Sequence, residues 1–478
     1  MFFHINLFSK LRIIPETCPI PTNKVNCWFI YTNHEYSIVM KSPIAIFLSL
    51  LVVLSNINTS CFAAGLENTE RELVRQVYEG ERDALKLLKK TVNINSGTMN
   101  FSGVKKVGSV FSKELKKLGF EVTWIKGKSF GRAGHLLATH DKYEKSNVKK
   151  LLMIGHLDTV FAKSSDFDSY KVIDEQRVAG PGITDMKGGN VIMILALKAL
   201  KESGQLERMR IKIIMTGDEE KRGSPYEVAT KELIEAGKWA DIALGFEDGD
   251  GNPKTAVVSR RGSTGWQLKV TGRPAHSSQI FRQGYGDGAI FEAARILNQF
   301  REQLSTQPNL TFNPGVILGG TDVDFDSGQA KGNAFGKSNV IAQSAIISGD
   351  IRALSPEQLS NAQAAMQKIV SNNLAETSAT LEFFPGYPPM APSEGNKRLL
   401  EIYNQASQDL GFGEVQAVDP RKAGAADISF VANHVDMALD GLGLMGAGGH
   451  TVNEVADITT LVSQAQRAVV VMYRLSKE

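Results

Sequence analysis

Three times before residue 250 this chain sets a short apolar run directly before a side chain that can ligate a metal. Leu151-Leu-Met-Ile leads into Gly155-His156-Leu-Asp158-Thr-Val. Ile211-Lys-Ile-Ile-Met-Thr leads into Gly217-Asp218-Glu219-Glu220, and Ala243-Leu-Gly-Phe into Glu247. Runs of this length read as strands, and strands apolar throughout are those buried on both faces of a parallel sheet. Between the first two lies Gly180-Pro-Gly-Ile-Thr-Asp185-Met-Lys-Gly-Gly, followed by a helical stretch from Asn190 to Ser203 that Gly204 stops. Strands alternating with helices predict an α/β sandwich with a mostly parallel sheet. Such sheets bind ligands at the carboxyl ends of their strands, where His156, Asp185, Glu219, Glu220 and Glu247 would fall.

The glycine-rich segment Gly446-Ala-Gly-Gly-His450-Thr-Val-Asn-Glu454 adds a second imidazole. Two imidazoles with several carboxylates suit a pair of divalent metals: neutral imidazole nitrogen favours zinc, and a carboxylate has two oxygens with which to bridge. Such a pair can acidify a water and polarise a carbonyl, so the expected chemistry is hydrolytic. Each residue also has an ordinary reading. His156 alone would be a buried structural histidine, Asp185 a helix cap, Glu219-Glu220 a solvated charge pair, and His450 part of a surface turn. Asp241, Asp248 and Asp250 compete with Glu247. The ordered series outweighs these readings, whereas His135, His140 and His434 lack such partners and are read as structural.

From about Leu66 to the C-terminus the motifs resemble, in order, the co-catalytic dizinc metallopeptidase and deacylase family. That family includes aminoacylase, succinyl-diaminopimelate desuccinylase and glutamate carboxypeptidase of the carboxypeptidase G type. Ala423-Gly-Ala-Ala-Asp427 and Gly441-Leu-Gly-Leu-Met-Gly are most similar to the glutamate carboxypeptidase branch. The resemblance implies that His156 and Glu247 bind one metal, Glu220 and His450 the other, and that Asp185 bridges both. It makes Glu219 the general base and Asp158 the group that orients the His156 imidazole, and it implies a cis peptide between Asp185 and Met186. Two Zn2+ per subunit are expected, with Co2+ or Mn2+ as substitutes.

Past Arg261-Gly262 the pattern changes. Gly265-Trp-Gln-Leu-Lys-Val-Thr alternates as a strand does, and Gly288 to Leu304 is helical. Leu310-Thr-Phe and Val316-Ile-Leu are strand candidates, followed by a Gly- and Asp-rich loop from Gly319 to Lys337 and a strand from Asn339 to Arg352. A helix capped by Ser355 with Pro356 in its first turn and a closing strand, Ala379-Thr-Leu-Glu-Phe-Phe, complete a β-α-β-β-α-β order. That order predicts a ferredoxin-like domain inserted into the larger one. The expected bounds are 65–261 and 389–478 for the catalytic domain and 262–388 for the insert, which the resemblance makes a lid and dimerisation surface. Arg273-Pro-Ala-His276-Ser-Ser matches the family's lid histidine, a stabiliser of the oxyanion from the neighbouring subunit. Asn339 and Arg352 resemble its substrate-holding pair, Arg352 having a surface ion pair with Asp350 or Glu357 as its ordinary alternative.

A formal charge of +3 over 478 residues points to no nucleic-acid or anionic-membrane partner. No run of about 20 apolar residues occurs in the body of the chain. Near the N-terminus, Met40-Lys-Ser-Pro, the apolar run Ile44–Leu54 and Cys61-Phe-Ala-Ala-Gly65 have the three parts of a secretory signal. Residues 40–64 are therefore expected to be a signal peptide cleaved near Ala63–Gly65, with translation starting at Met40 and 1–39 an artefact. Cys18, Cys27 and Cys61 all precede that point, so the mature chain would lack thiols. The expectation is a homodimeric two-zinc hydrolase in the periplasm or medium, cleaving an amide next to a free carboxylate in a small peptide. An N-acyl-amino-acid deacylase is the nearest rival, and an inactive binding protein the more distant one.

Overall fold

The computed structural model describes residues 65–143 and 148–478. The expected signal segment and the upstream extension lie outside them. Two helices, α1 (Asn68–Val92) and α2 (Phe101–Lys117), precede an antiparallel pair, β1 (Glu121–Lys126) and β2 (Gly134–His140). The strand β3 (Lys150–His156), helix α3 (Gly188–Glu202), strand β4 (Arg210–Thr216), helix α4 (Tyr226–Trp239) and strand β5 (Ile242–Gly245) follow. The sheet runs β1-β2-β4-β3-β5 and ends on Met437–Leu439 from late in the chain. Its β4, β3, β5 and Met437–Leu439 pairings are parallel, and only β2, antiparallel to both β1 and β4, runs against the rest.

Why β3 is apolar throughout follows from its burial. Leu151 and Met153 join the larger core, with α1, α2 and α3, while Leu152 and Ile154 join a second core with α4 on the opposite face. α3 is buried almost all round, as a helix without a polar face must be. Gly155 lets α3 approach: a Cβ there would lie 2.3 Å from Asn190 Oδ1, and the Asn190 amide donates to the His156 carbonyl at 2.6 Å.

The inserted domain is built on β6 (Thr264–Gly272), α5 (Gly288–Leu304), β7 (Thr311–Gly320), a hairpin of β8 (Asp322–Asp326) and β9 (Lys331–Phe335), β10 (Ser344–Arg352), α6 (Pro356–Val370) and β11 (Thr377–Phe383). Its sheet is antiparallel in the order β7-β10-β6-β11, with a core of its own around Trp266, Ile296, Phe300, Ile347 and Met366. Three expectations are corrected here. The two short runs at Leu310 and Val316 are one edge strand, interrupted by a bulge between Pro314 and Val316, where an edge tolerates a missing N–H. The stretch read as a loop from Gly319 to Lys337 contains the β8–β9 hairpin, whose Asp322-Val-Asp-Phe-Asp alternation places Val323 and Phe325 inward of exposed aspartates. The strand expected from Asn339 starts at Ser344, so Asn339 lies in the preceding loop.

The chain then returns through α7 (Glu394–Asp409), β12 (Met437–Leu439) and α8 (Thr460–Leu475), the last packed against α1 and α3. Among the described residues no helix is long and apolar enough to cross a membrane.

Candidate metal centre

His156 closes β3 and is 1% exposed. Its Nε2 lies 2.9 Å from Asp185 Oδ1 and 3.6 Å from Glu247 Oε1. Asp185 sits in the turn before α3, and its other oxygen is 2.7 Å from Nε2 of His450, which is also 3.2 Å from Glu220 Oε2. One carboxylate thus faces two imidazoles, one oxygen to each. The ligand atoms form two groups, His156–Asp185–Glu247 and Asp185–Glu220–His450, with the atoms of each within 4.8 Å of one another. Glu219 belongs to neither. The Asp185–Met186 peptide is cis, and His450 stands in the left-handed region at φ +64.

The donor set fits a pair of divalent cations. Glu220 Oε1 is buried without a hydrogen-bond partner. Burial raises the Glu219 and Glu247 carboxyls well above their ordinary range and pushes Glu220 up to about 7. Hydrogen bonds that the ring donates to Asp185 and Glu220 raise the His450 imidazole to about 11. Acids buried this closely need a positive counter-charge, which imidazolium or a bound cation can supply.

Asp158 meets the imidazole with both its backbone and its side chain. Nδ1 of His156 is 3.0 Å from its backbone carbonyl, whereas its carboxylate is 3.6 Å away. That carboxylate instead accepts the Thr98 hydroxyl at 2.7 Å and the backbone N–H groups of Glu219 and Glu220 at 3.0 and 3.2 Å. The imidazole is oriented by the backbone of Asp158, and the side chain ties the end of β3 to the Glu219-Glu220 loop.

Sequence reasoning missed most of the residues that hold these loops. Glu454 accepts the N–H groups of Gly182, Thr184 and Asp185 at 2.8–3.2 Å and so clamps the Asp185 turn. Asp440 accepts the Glu247 N–H at 3.2 Å and is paired with buried Arg260 at 2.9 Å. Arg222 is paired with Asp218 at 2.6 Å and with Asp427, and donates to the Tyr387 hydroxyl at 2.7 Å. Tyr387 in turn donates to the Glu219 carbonyl at 2.6 Å. Asp427 and Glu454 stand inside motifs quoted above, which is the only signal the sequence offered.

His276, Asn339 and Arg352 are not brought to this cluster: among the described residues no hydrogen bond or ion pair joins them to it. His276 and Asn339 are neighbours, since Ser277 N–H donates to the Asn339 carbonyl at 2.9 Å and His276 bridges Val340. His276 is exposed and its Nδ1 is 2.9 Å from the Ser278 hydroxyl. Arg352 makes the 2.9 Å pair with Asp350 that was its ordinary alternative.

A profile described as Peptidase family M20/M25/M40 matches residues 152–478. Carboxypeptidase G2 of Pseudomonas sp. (strain RS-16) is 27% identical over 412 residues, covering 84% of this chain and 92% of that protein. The structure of aminopeptidase PepT from Bacillus cereus superposes with a TM-score of 0.65 at 21% identity, over 83% of this chain and 98% of that one. The Bacillus subtilis YXEP protein, described as a dinuclear metal binding peptidase from the M20 family, superposes with a TM-score of 0.57 at 13% identity, over 84% and 99%. Both solved structures share the fold of this chain, a mainly parallel sheet with a second, antiparallel sheet on an inserted segment. A match over most of the chain, with a ligand cluster at the strand ends, makes this chain a member of peptidase family M20/M25/M40 and a metallohydrolase.

Proposed function

We propose that the chain is an exported carboxypeptidase of the glutamate carboxypeptidase type, hydrolysing the amide bond next to a free C-terminal carboxylate. The observation that carries this reading is the Asp185 carboxylate between two imidazoles, at 2.9 and 2.7 Å, with half-buried Glu219 next to Glu220 in the chain and in neither ligand group. His156 and Glu247 would hold one cation and Glu220 and His450 the other, with Asp185 shared. Zinc suits this nitrogen and carboxylate set, with Co2+ or Mn2+ as substitutes. When bound, the pair supplies Lewis acidity to the scissile carbonyl and acidifies the attacking water. Glu219, raised by burial, takes a proton from that water and delivers it to the departing nitrogen. Asp158 and Tyr387 fix the backbone on which Glu219 stands.

His276 would stabilise the developing oxyanion in a partner subunit's site, and Asn339 and Arg352 would hold the substrate carboxylate. The fold supports this reading by placing His276 and Asn339 side by side on the insert, for which the bounds 262–388 are proposed. Export rests on the sequence of residues 40–64. The test is kcat/KM of the zinc-loaded protein on a peptidyl-glutamate, its C-terminal amide and an N-acetyl-amino acid, with metal counted on the same sample. Two metals per chain and at least a roughly 100-fold preference for the free carboxylate are expected from a desolvated Arg–carboxylate contact. Cleavage of the acetyl compound alone would make the chain a deacylase, and absence of metal from an inactive protein would make it a binding protein.

A further inference from the structure

No hydrogen bond or ion pair among the described residues joins Arg352 to Glu219, yet a run of hydrogen bonds leads from the one to the other. The chain crosses between the two sheets twice, at 260–263 and 387–390, and the crossings pair antiparallel as a short ribbon. Arg260 N–H donates to the Met390 carbonyl at 3.0 Å, and Met390 N–H to the Arg260 carbonyl at 2.9 Å. Ser263 N–H donates to the Tyr387 carbonyl at 2.9 Å. A Cβ at Gly262 would lie 2.8 Å from that same carbonyl oxygen, so only glycine lets the crossings lie this close.

The end of β10 is tied to this ribbon. Ala353, directly after Arg352, accepts the Gly262 N–H at 2.9 Å. At the other side of the ribbon, the Tyr387 hydroxyl donates to the Glu219 carbonyl at 2.6 Å. The path is therefore Arg352-Ala353 to Gly262-Ser263, then to Tyr387, then to Glu219, with one hydrogen bond at each crossing. A branch leaves the ribbon through Arg260, which pairs with Asp440 at 2.9 Å, and Asp440 accepts the Glu247 N–H.

Tyr387 has little slack. Arg222, its side chain 4% exposed, donates to the Tyr387 hydroxyl at 2.7 Å and is itself held by Asp218 at 2.6 Å and by Asp427. The Phe430 ring packs on Tyr387 with centroids 5.0 Å apart. Hydrogen bonds weaken steeply as they bend, so a shift of the ribbon carries the Glu219 carbonyl with it or breaks the bond. The hydroxyl ends on the backbone of the base, and the ribbon is where the strand carrying Arg352 is anchored.

We propose that Tyr387 is a positioning residue that makes the placement of Glu219 depend on whether Arg352 holds a carboxylate. This rests on the roles proposed above for Glu219 and Arg352. With the carboxylate held, β10 and the ribbon are fixed, and Tyr387 keeps the Glu219 backbone in its working place. Without it, the base is less well placed although every metal ligand is present. A substrate lacking the free carboxylate then loses turnover as well as binding.

A double-mutant cycle measures coupling of this kind. Zinc-loaded wild type, Tyr387→Phe, Arg352→Lys and the double variant are compared on a peptidyl-glutamate and its C-terminal amide, with metal counted on each sample. On the free acid, Tyr387→Phe should lower kcat about fivefold, with KM and metal content unchanged. In the Arg352→Lys background, and on the amide, the same substitution should cost less than about twofold. The same loss in both backgrounds and on both substrates would make Tyr387 a structural contact and overturn the coupling. A second measurement needs no substrate. The N–H groups of Gly262 and Ser263 are links in the path, so Tyr387→Phe should speed their amide exchange at least about threefold in the ligand-free protein. Unchanged exchange there overturns the path whatever the protein hydrolyses. Equal wild-type rates on acid and amide would instead sink the carboxypeptidase reading, and the exchange rates alone would decide the path.

Discussion

The two sheets hold their candidate functional residues in opposite ways. At the ends of β3, β4 and β5 every such side chain is buried or half-buried except His450, and each loop is anchored by a polar residue far away in sequence: Asp158 by Thr98, the Asp185 turn by Glu454, Glu247 by Asp440. On the inserted domain the side-chain bonds of His276 and Arg352 go to close sequence neighbours, Ser278 and Asp350, with His276 exposed and Arg352 half-buried. Exposed pairs of this kind are worth little, about 0–1 kcal/mol, so they break readily for a better partner. The first region is organised before any substrate arrives. The second acquires its geometry from what it meets.

The largest expected effect lies in the organised region. Glu219→Gln should lower kcat by roughly 10²–10⁴-fold while metal stays near two per chain. Loss of metal along with activity would make Glu219 a ligand and blur the distinction from Glu220. Next, Glu454→Ala leaves three backbone donors of the Asp185 turn without their acceptor. Metal affinity, read by competition with a chromogenic chelator, should fall about 10–100-fold, the range for outer-shell partners; an unchanged affinity would show the turn to be held without it. On the inserted domain, Arg352→Lys keeps the charge but loses the fork. We expect a drop of roughly tens of fold in kcat/KM on substrates with a free carboxylate. An equal loss on the C-terminal amide would return Arg352 to its pair with Asp350. The smallest effect should come from Tyr387→Phe, which removes one hydrogen bond to the Glu219 carbonyl, worth about 1 kcal/mol. A fall of roughly fivefold in kcat with metal content and KM unchanged would place this tyrosine behind the base.

How far the chain could be read depended on the range of each interaction. β3, β4 and β5 were visible because strands buried on both faces are apolar at most positions, and their ends are where the ligand residues stand. α1 is legible from the spacing of Leu73, Val74, Val77, Leu85, Leu87 and Leu88, all of them buried except Leu85. α2 went unread although Asn100 caps it at 3.2 Å, because Val104, Val107, Phe111 and Leu115 are diluted by glycines and lysines. Glu454, Asp440, Asp427 and Arg222 could not be assigned locally: the partners named above lie between 165 and 272 positions away, apart from Asp218, four residues from Arg222. A charge two residues after Glu220 reads as a solvated face until the fold buries it against Asp427.

The distance in sequence between His156 and His450 also has a meaning in time. The Asp185 turn reaches the ribosome exit long before Glu454, which clamps it, or His450, which faces its second oxygen, has been made. At about 5–20 residues per second, the wait from the first imidazole to the last is roughly 15–60 s. During that interval the first half can fold its strands, yet it presents clustered carboxylates with neither their far-sequence anchors nor the second imidazole. Loading the centre is therefore a late event in the life of each new chain, and a nascent chain stalled before residue 450 would be a folded sheet without a complete site.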